Sequence, residues 1–263
     1  MNIFSKFLYV NLCDLYSTFV ALFENFFLKK SSPQNINFEK IGYLKIVDSL
    51  KLNILRNKFD FILTQKEKNS FGGKYQKITP LSEGHLKKII RKIFDKQFRD
   101  FLTSQTGFKY TIDYFGAYQN FHIPVEFRDR AWYANHYHLD KPFSKNMLKV
   151  FIPLAQIGIN DGPLELFDIS STKKILQNKE FIQFSDKHFL VGNLGEFFVC
   201  KLNLCLHRAG VPEKGHSTNL IMMQLNPSNE WSINSLIFER QFKMEPKFTS
   251  LMNVMMLRRT IKI

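Results

Sequence analysis

A change of texture near residue 105 constrains this chain more than any other feature. Beyond it, short runs rich in Val, Ile, Phe and Tyr alternate with turn residues, and no long helical pattern intervenes. The runs cover 131–138, 147–154, 162–167, 195–200 and 219–225. Asn160-Asp161-Gly162-Pro163 is a turn signature, and Gly192 and Gly195 bracket another turn. Closely spaced strands without intervening helices point to an antiparallel sandwich or barrel. A jelly roll is the version that places a metal at its mouth.

The first third reads differently. Residues 3–29 give one amphipathic helix, stopped by Lys29-Lys30-Ser31-Ser32-Pro33. Ser82 can cap a second helix running to about residue 102, in which Leu86, Ile89, Ile90, Ile93, Phe94 and Phe98 share one face. Lys87, Lys88, Arg91, Lys92, Lys96 and Arg99 take the remainder as a solvated face. With 263 residues, the expectation is one integrated domain, mainly β with α. Residues 1–104 form a helical region packed on a β core at 105–263.

The chemistry concentrates in His138-Leu139-Asp140 and the distant His207. An extended segment alternates its side chains, so His138 and Asp140 point the same way and Leu139 the other. Two ligands from one strand and a histidine from another make the 2-His-1-carboxylate triad of non-haem Fe(II) oxygenases. The run Trp132 onward alternates too, placing Ala134, His136, His138 and Asp140 on one face. Imidazole and carboxyl groups sharing a buried face are costly unless paired or metal-bound. His136 opens an alternative, a three-histidine zinc site with His138 and His207. The other reading of the segment is a surface strand with its polar residues outward.

The blocks around these residues resemble the phytanoyl-CoA dioxygenase-like branch of Fe(II)/2-oxoglutarate oxygenases. They are Ala134-Asn135-His136-Tyr137-His138-Leu139-Asp140, then Met147-Leu148-Lys149-Val150-Phe151-Ile152-Pro153-Leu154, then Asn160-Asp161-Gly162-Pro163-Leu164-Glu165. Gly192-Asn193-Leu194-Gly195-Glu196 and Cys205-Leu206-His207-Arg208-Ala209-Gly210 complete the set, in family order over about 105–230. The resemblance implies a double-stranded β-helix, a cupin-like jelly roll, with helices packed around it. It implies His138, Asp140 and His207 as iron ligands, 2-oxoglutarate as cosubstrate, and an oxidoreductase that hydroxylates a small-molecule or acyl- or glycan-linked substrate with release of succinate and CO2.

One family feature is missing. About ten residues after the second histidine an arginine normally holds the far carboxylate of 2-oxoglutarate, a task suited to a bidentate guanidinium. Here Ser217 and Thr218 occupy those positions, and no arginine occurs between Arg208 and Arg240. Lys149 is the replacement expected from the sequence, because it shares a strand face with Phe151, whose position flanks the cosubstrate in the family. Lys149, Phe151 and Thr218 are therefore the expected cosubstrate contacts; His216 and Lys214 are weaker options. The competing reading is a jelly roll that binds metal or ligand without oxygenase chemistry.

Composition limits partners rather than naming them. A net charge of +14 favours anionic partners. No base-reading residues interleave with the basic helix, so no specific nucleic acid is expected. Asp14 and Glu24 interrupt the apolar stretch 7–28, which argues against a membrane span and leaves peripheral membrane contact as its alternative. Cys13, Cys200 and Cys205 form no framework, which fits a reduced, cytoplasmic setting.

Overall fold

The computed structural model describes residues 3–28, 31, 36–47, 75–79, 81–130, 132–140, 144–178, 186–238 and 260–262. Helix α1 spans Ile3–Phe27 and α2 spans Ile36–Ile41; the Lys29-Lys30 stop signal lies outside the described residues. The basic helix forms, but in two pieces, α3 at Glu83–Ile93 and α4 at Lys96–Thr106. The break has a local cause. Ser82 accepts from the His85 amide to start α3, and Asp95 accepts from the Phe98 amide to start α4 afresh. Gly107, left-handed at φ 81°, ends α4. The expected apolar face is buried in both pieces, Leu86 through Phe98.

The strands are β1 Tyr43–Val47, β2 Gln76–Ile78, β3 Lys109–Phe121, β4 Leu148–Pro153, β5 Leu164–Phe167 and β6 Lys187–Phe189. They continue with β7 Glu196–Cys200, β8 His207–Ala209, β9 Ser217–Ser228, β10 Ser232–Asn234 and β11 Thr260–Lys262. A large mixed sheet runs β1-β7-β4-β9-β3-β10-β11, with β2 beside β3. A smaller sheet runs β6-β5-β8, and helix α5, Ile169–Asn178, follows β5. Two strands of the large sheet, β1 and β2, come from the first 104 residues.

The large sheet is covered on both faces. Leu148, Val150 and Ile152 of β4 and Ile221, Met223 and Leu225 of β9 pack with Leu86, Ile90, Phe98 and Leu102 of the helices. Each such fully buried side chain contributes roughly 1.5–3 kcal/mol of transfer free energy. Period-2 alternation turns the intervening residues, Lys149 and Phe151 of β4 and Thr218, Leu220 and Met222 of β9, to the opposite face, where they line a cavity. Phe151, Leu166, Phe198 and Cys200 bring the two sheets together beside it.

Strand β3 departs from simple alternation. Its register against β9 shifts between Ile112 and Tyr114. A bulge of one residue exchanges the two faces. Tyr110 and Ile112 therefore meet the helices before it, as Phe115 and Ala117 do after it. Tyr118 and Asn120 consequently face the cavity.

The run at 131–138 is not the strand expected. Residues 132–137 are bends and irregular backbone, and Ala134 has a positive φ of 60°. Asn135 explains this. Its Oδ1 accepts from the Trp132 amide at 2.8 Å, and its Nδ2 donates to the Arg128 and Arg130 carbonyls. Those local bonds replace a ladder. Ala134, His136, His138 and Asp140 accordingly do not form one strand face.

Candidate metal centre

His138 and His207 meet through backbone pairing rather than shared strand phase. The His138 amide donates to the His207 carbonyl at 2.9 Å, and the His207 amide returns a bond to the His138 carbonyl at 3.0 Å. This isolated bridge adds residue 138 to the edge of β8. It sets the two rings 4.3 Å apart, centroid to centroid. Asp140 is fixed separately, its amide donating to the Leu202 carbonyl at 3.1 Å. One ligand atom from each of His138, Asp140 and His207 lies within 4.8 Å of the others.

Hydrogen bonds fix the tautomers. Nδ1 of His138 lies 2.8 Å from the His136 carbonyl, and Nδ1 of His207 lies 2.9 Å from the Cys205 carbonyl. A carbonyl only accepts, so each Nδ1 carries the proton and each neutral ring keeps its lone pair on Nε2. Those Nε2 atoms stand 3.7 and 3.9 Å from Asp140 Oδ1, too far for hydrogen bonds. A divalent ion holding N and O donors at about 2.0–2.2 Å keeps neighbouring donors roughly 3 Å apart. The two histidine–carboxylate separations are within an ångström of that spacing and all three donors lie within 4.8 Å of one another, so the donor set fits such an ion after modest closure.

Protonation favours ligation as well. Burial alone would raise the Asp140 carboxyl, but Lys149, His207 and His138 bring it down to about 2. Burial lowers His207 to about 4 against the opposing pull of Asp140, so its imidazole is neutral at pH 7. The thiols are a different case. Burial pushes Cys205 up to about 12 and raises Cys200 well above its usual value, so neither is a thiolate ligand.

Lys149 projects from β4 into the same space, its Nζ 2.7 Å from Asp140 Oδ2 and its side chain 5% exposed. This is an ion pair without aligned hydrogen-bond geometry, and among the described residues Oδ2 is a buried acceptor lacking a hydrogen-bond partner. Lys149 itself lines the cavity, so its ammonium stands at the wall beside the carboxylate. The cavity measures about 140 Å³ and is lined by all three triad residues, Lys149, Phe151 and Thr218. Thr218 directs its hydroxyl to the Asp161 and Gly162 carbonyls, tying β9 to the 160–163 turn.

Other candidates lie elsewhere. His136 is exposed, with Nε2 on the Arg128 carbonyl at 2.8 Å. It stands apart from the cluster, and the three-histidine arrangement does not form. Arg208 stacks on Tyr137 and pairs with Glu165 at 2.9 Å, outside the cavity that His207 and Ala209 line. His216 pairs with Asp161 at 2.9 Å and is 44% exposed.

Two lining residues carried no sequence signal. Gln76 of β2 donates through Nε2 to Asn120 Oδ1 at 2.7 Å, and both are buried in the cavity wall. Gln76 Oε1 has no hydrogen-bond partner among the described residues. Their short strand and bulged strand offer no motif; only β2–β3 pairing joins them.

No family model matches the chain, and no curated protein matches it by sequence. Its fold does match solved structures. The non-haem α-ketoglutarate-dependent epimerase SnoN from nogalamycin biosynthesis aligns at TM-score 0.51 and 11% identity, over 72% of this chain and 79% of SnoN. HygX from Streptomyces hygroscopicus, solved with nickel, 2-oxoglutarate and hygromycin B, aligns at 0.50 and 11%, over 74% and 86%. EctD from S. alaskensis, solved with 2-oxoglutarate and 5-hydroxyectoine, aligns at 0.50 and 13%, over 78% and 79%. This chain shares the fold of these proteins.

Proposed function

We propose that the protein is an Fe(II)/2-oxoglutarate-dependent dioxygenase on a double-stranded β-helix, of the phytanoyl-CoA dioxygenase-like kind, hydroxylating a small-molecule or acyl- or glycan-linked substrate. One observation carries the reading: two imidazole Nε2 lone pairs and one carboxylate converge at the wall of a cavity. His138, Asp140 and His207 would hold the iron from one side, leaving its other positions to cosubstrate and dioxygen. Bound there, the iron supplies oxidative chemistry coupled to conversion of 2-oxoglutarate to succinate and CO2.

The chain's own groups then have separable tasks. Lys149 is the cation for the far carboxylate of 2-oxoglutarate, standing where the sequence offers no arginine. Phe151 and the Thr218 wall flank that cosubstrate. Leu164, Leu202, Leu220 and Met222 line the cavity with apolar surface and exclude water. Gln76 and Asn120 add polar side chains to a largely apolar wall, which suits a substrate presenting a hydroxyl or amide.

The test is anaerobic addition of Fe(II) and 2-oxoglutarate. A weak visible charge-transfer band should appear, and air should then release succinate; His207→Ala and Asp140→Ala should lose both. An iron-loaded protein giving neither would overturn the proposal. A second reading, a metal-binding jelly roll without oxygenase chemistry, draws on the absence of any described arginine from the cavity wall. Iron binding with no affinity for 2-oxoglutarate would select it.

A further inference from the structure

Asp140 divides its two oxygens between different neighbours. Oδ1 lies toward the imidazoles, 3.7 Å from His138 Nε2 and 3.9 Å from His207 Nε2. Oδ2 instead meets Lys149 Nζ at 2.7 Å. Both sides of this contact are held. Asp140 is tied by its amide to the Leu202 carbonyl. Lys149 sits mid-sheet, opposite Cys200 of β7 and Gln224 of β9, and its side chain is 5% exposed. A lysine ordinarily buries its stem and keeps its head in water; here the head is buried as well. Asp140 and Lys149 are the only carboxylate and the only ammonium among the described residues that line the cavity.

We propose that Lys149 occupies the second oxygen of Asp140 so that the carboxylate serves the metal through Oδ1 alone; the inference rests on the metal centre proposed above. The reason is one of counting. A six-coordinate ion held by two imidazoles and one carboxylate oxygen keeps three positions open. With the keto acid end of 2-oxoglutarate in two of them, one is left for dioxygen. A carboxylate bound through both oxygens would take that last position. Lys149 opposes this in two ways. Its ammonium competes for Oδ2, and its positive charge, one carboxylate's width from the ion, repels a second cation. The lysine therefore keeps a position open and weakens metal binding at the same time. Service to the far carboxylate of the cosubstrate is compatible with this role, because an ammonium carries three donors.

The experiment is titration of the full chain with nickel(II), which air does not oxidise, in competition with a chelating dye near neutral pH. Wild type should bind the ion and His207→Ala should not; failure at this step overturns the metal centre, and the inference with it. With binding established, the lysine is tested separately. Lys149→Met should hold nickel at least about tenfold more tightly than wild type, having lost a repelling cation and freed an oxygen. Nickel should also raise its melting temperature more than it raises that of wild type. Lys149→Gln should show the same tightening and covers the case in which the methionine variant does not fold. Crystal structures of the nickel-loaded proteins should show one Asp140 oxygen on the ion in wild type and both in the lysine variants. Unchanged affinity in the folded variants overturns the proposal, as does a wild-type ion held by both oxygens. So does a loss of about 10–100-fold, because Lys149 would then be a support that orients the ligand.

Discussion

Replacing Lys149 by Met should destabilise the metal-free protein severely, and the loss should depend on Asp140. The Lys149 side chain is 5% exposed and that of Asp140 is 10%, with the charges 2.7 Å apart. Coulomb attraction at that separation is roughly 6 kcal/mol at an effective dielectric constant of about 20. Desolvation of both groups offsets much of it, so the pair itself adds little over an apolar pair. Removing one partner is different, because it strands a buried carboxylate, at a cost of about 3–5 kcal/mol. Asp140→Asn should likewise strand the ammonium. The double variant Asp140→Asn/Lys149→Met strands neither and should be more stable than the sum of the single losses implies, by about 3 kcal/mol. Urea unfolding at pH 7 with chelator present measures this, the Lys149→Met midpoint falling by roughly 1 M or more. Losses that add to within about 0.5 kcal/mol would show that the two side chains do not interact, and the geometry argued for the site would be wrong.

Two further predictions follow from the same coordinates. His207 refuses in the folded state, down to about pH 4, a proton that the unfolded chain accepts near 6.5. Its contribution is therefore full above pH 6.5 and lost as the pH falls toward 4, on the order of 3 kcal/mol in all, and His207→Gln should flatten that part of the urea-midpoint profile of chelated protein. Gly162 sits at φ +70° with an added Cβ only 2.5 Å from the Pro212 nitrogen; Gly162→Ala should cost about 2–4 kcal/mol and lower the melting temperature by roughly 5–15 °C. An unchanged melting temperature would mean that the 160–163 turn does not hold this shape.

Much of the cavity-facing chemistry was legible before any coordinates. Lys149 and Phe151 share a phase in a run where Leu148, Val150 and Ile152 take the other, so their common face follows from alternation. The apolar faces of α3 and α4 follow from helical spacing in the same way. Two local readings went astray because short-range competitors won. Asp95 restarts a helix that periodicity carried through, and Asn135 bonds to nearby backbone in a run that looked like a strand.

Residue type and local period thus determined the β-rich class and the separate helical faces, and residue type together with the resemblance of the surrounding blocks put forward His138, Asp140, Lys149 and His207 as candidates. Tertiary structure alone decided that the imidazoles at 138 and 207 face one another, because two backbone hydrogen bonds between distant segments set them there. It also decided that Gln76 and Asn120 share the cavity wall, since a bulge in β3 exchanges its faces and β2 pairs beyond it. Periodicity describes which way a side chain turns within its own segment. Which segments lie side by side depends on long-range pairing, and no local spacing encodes that.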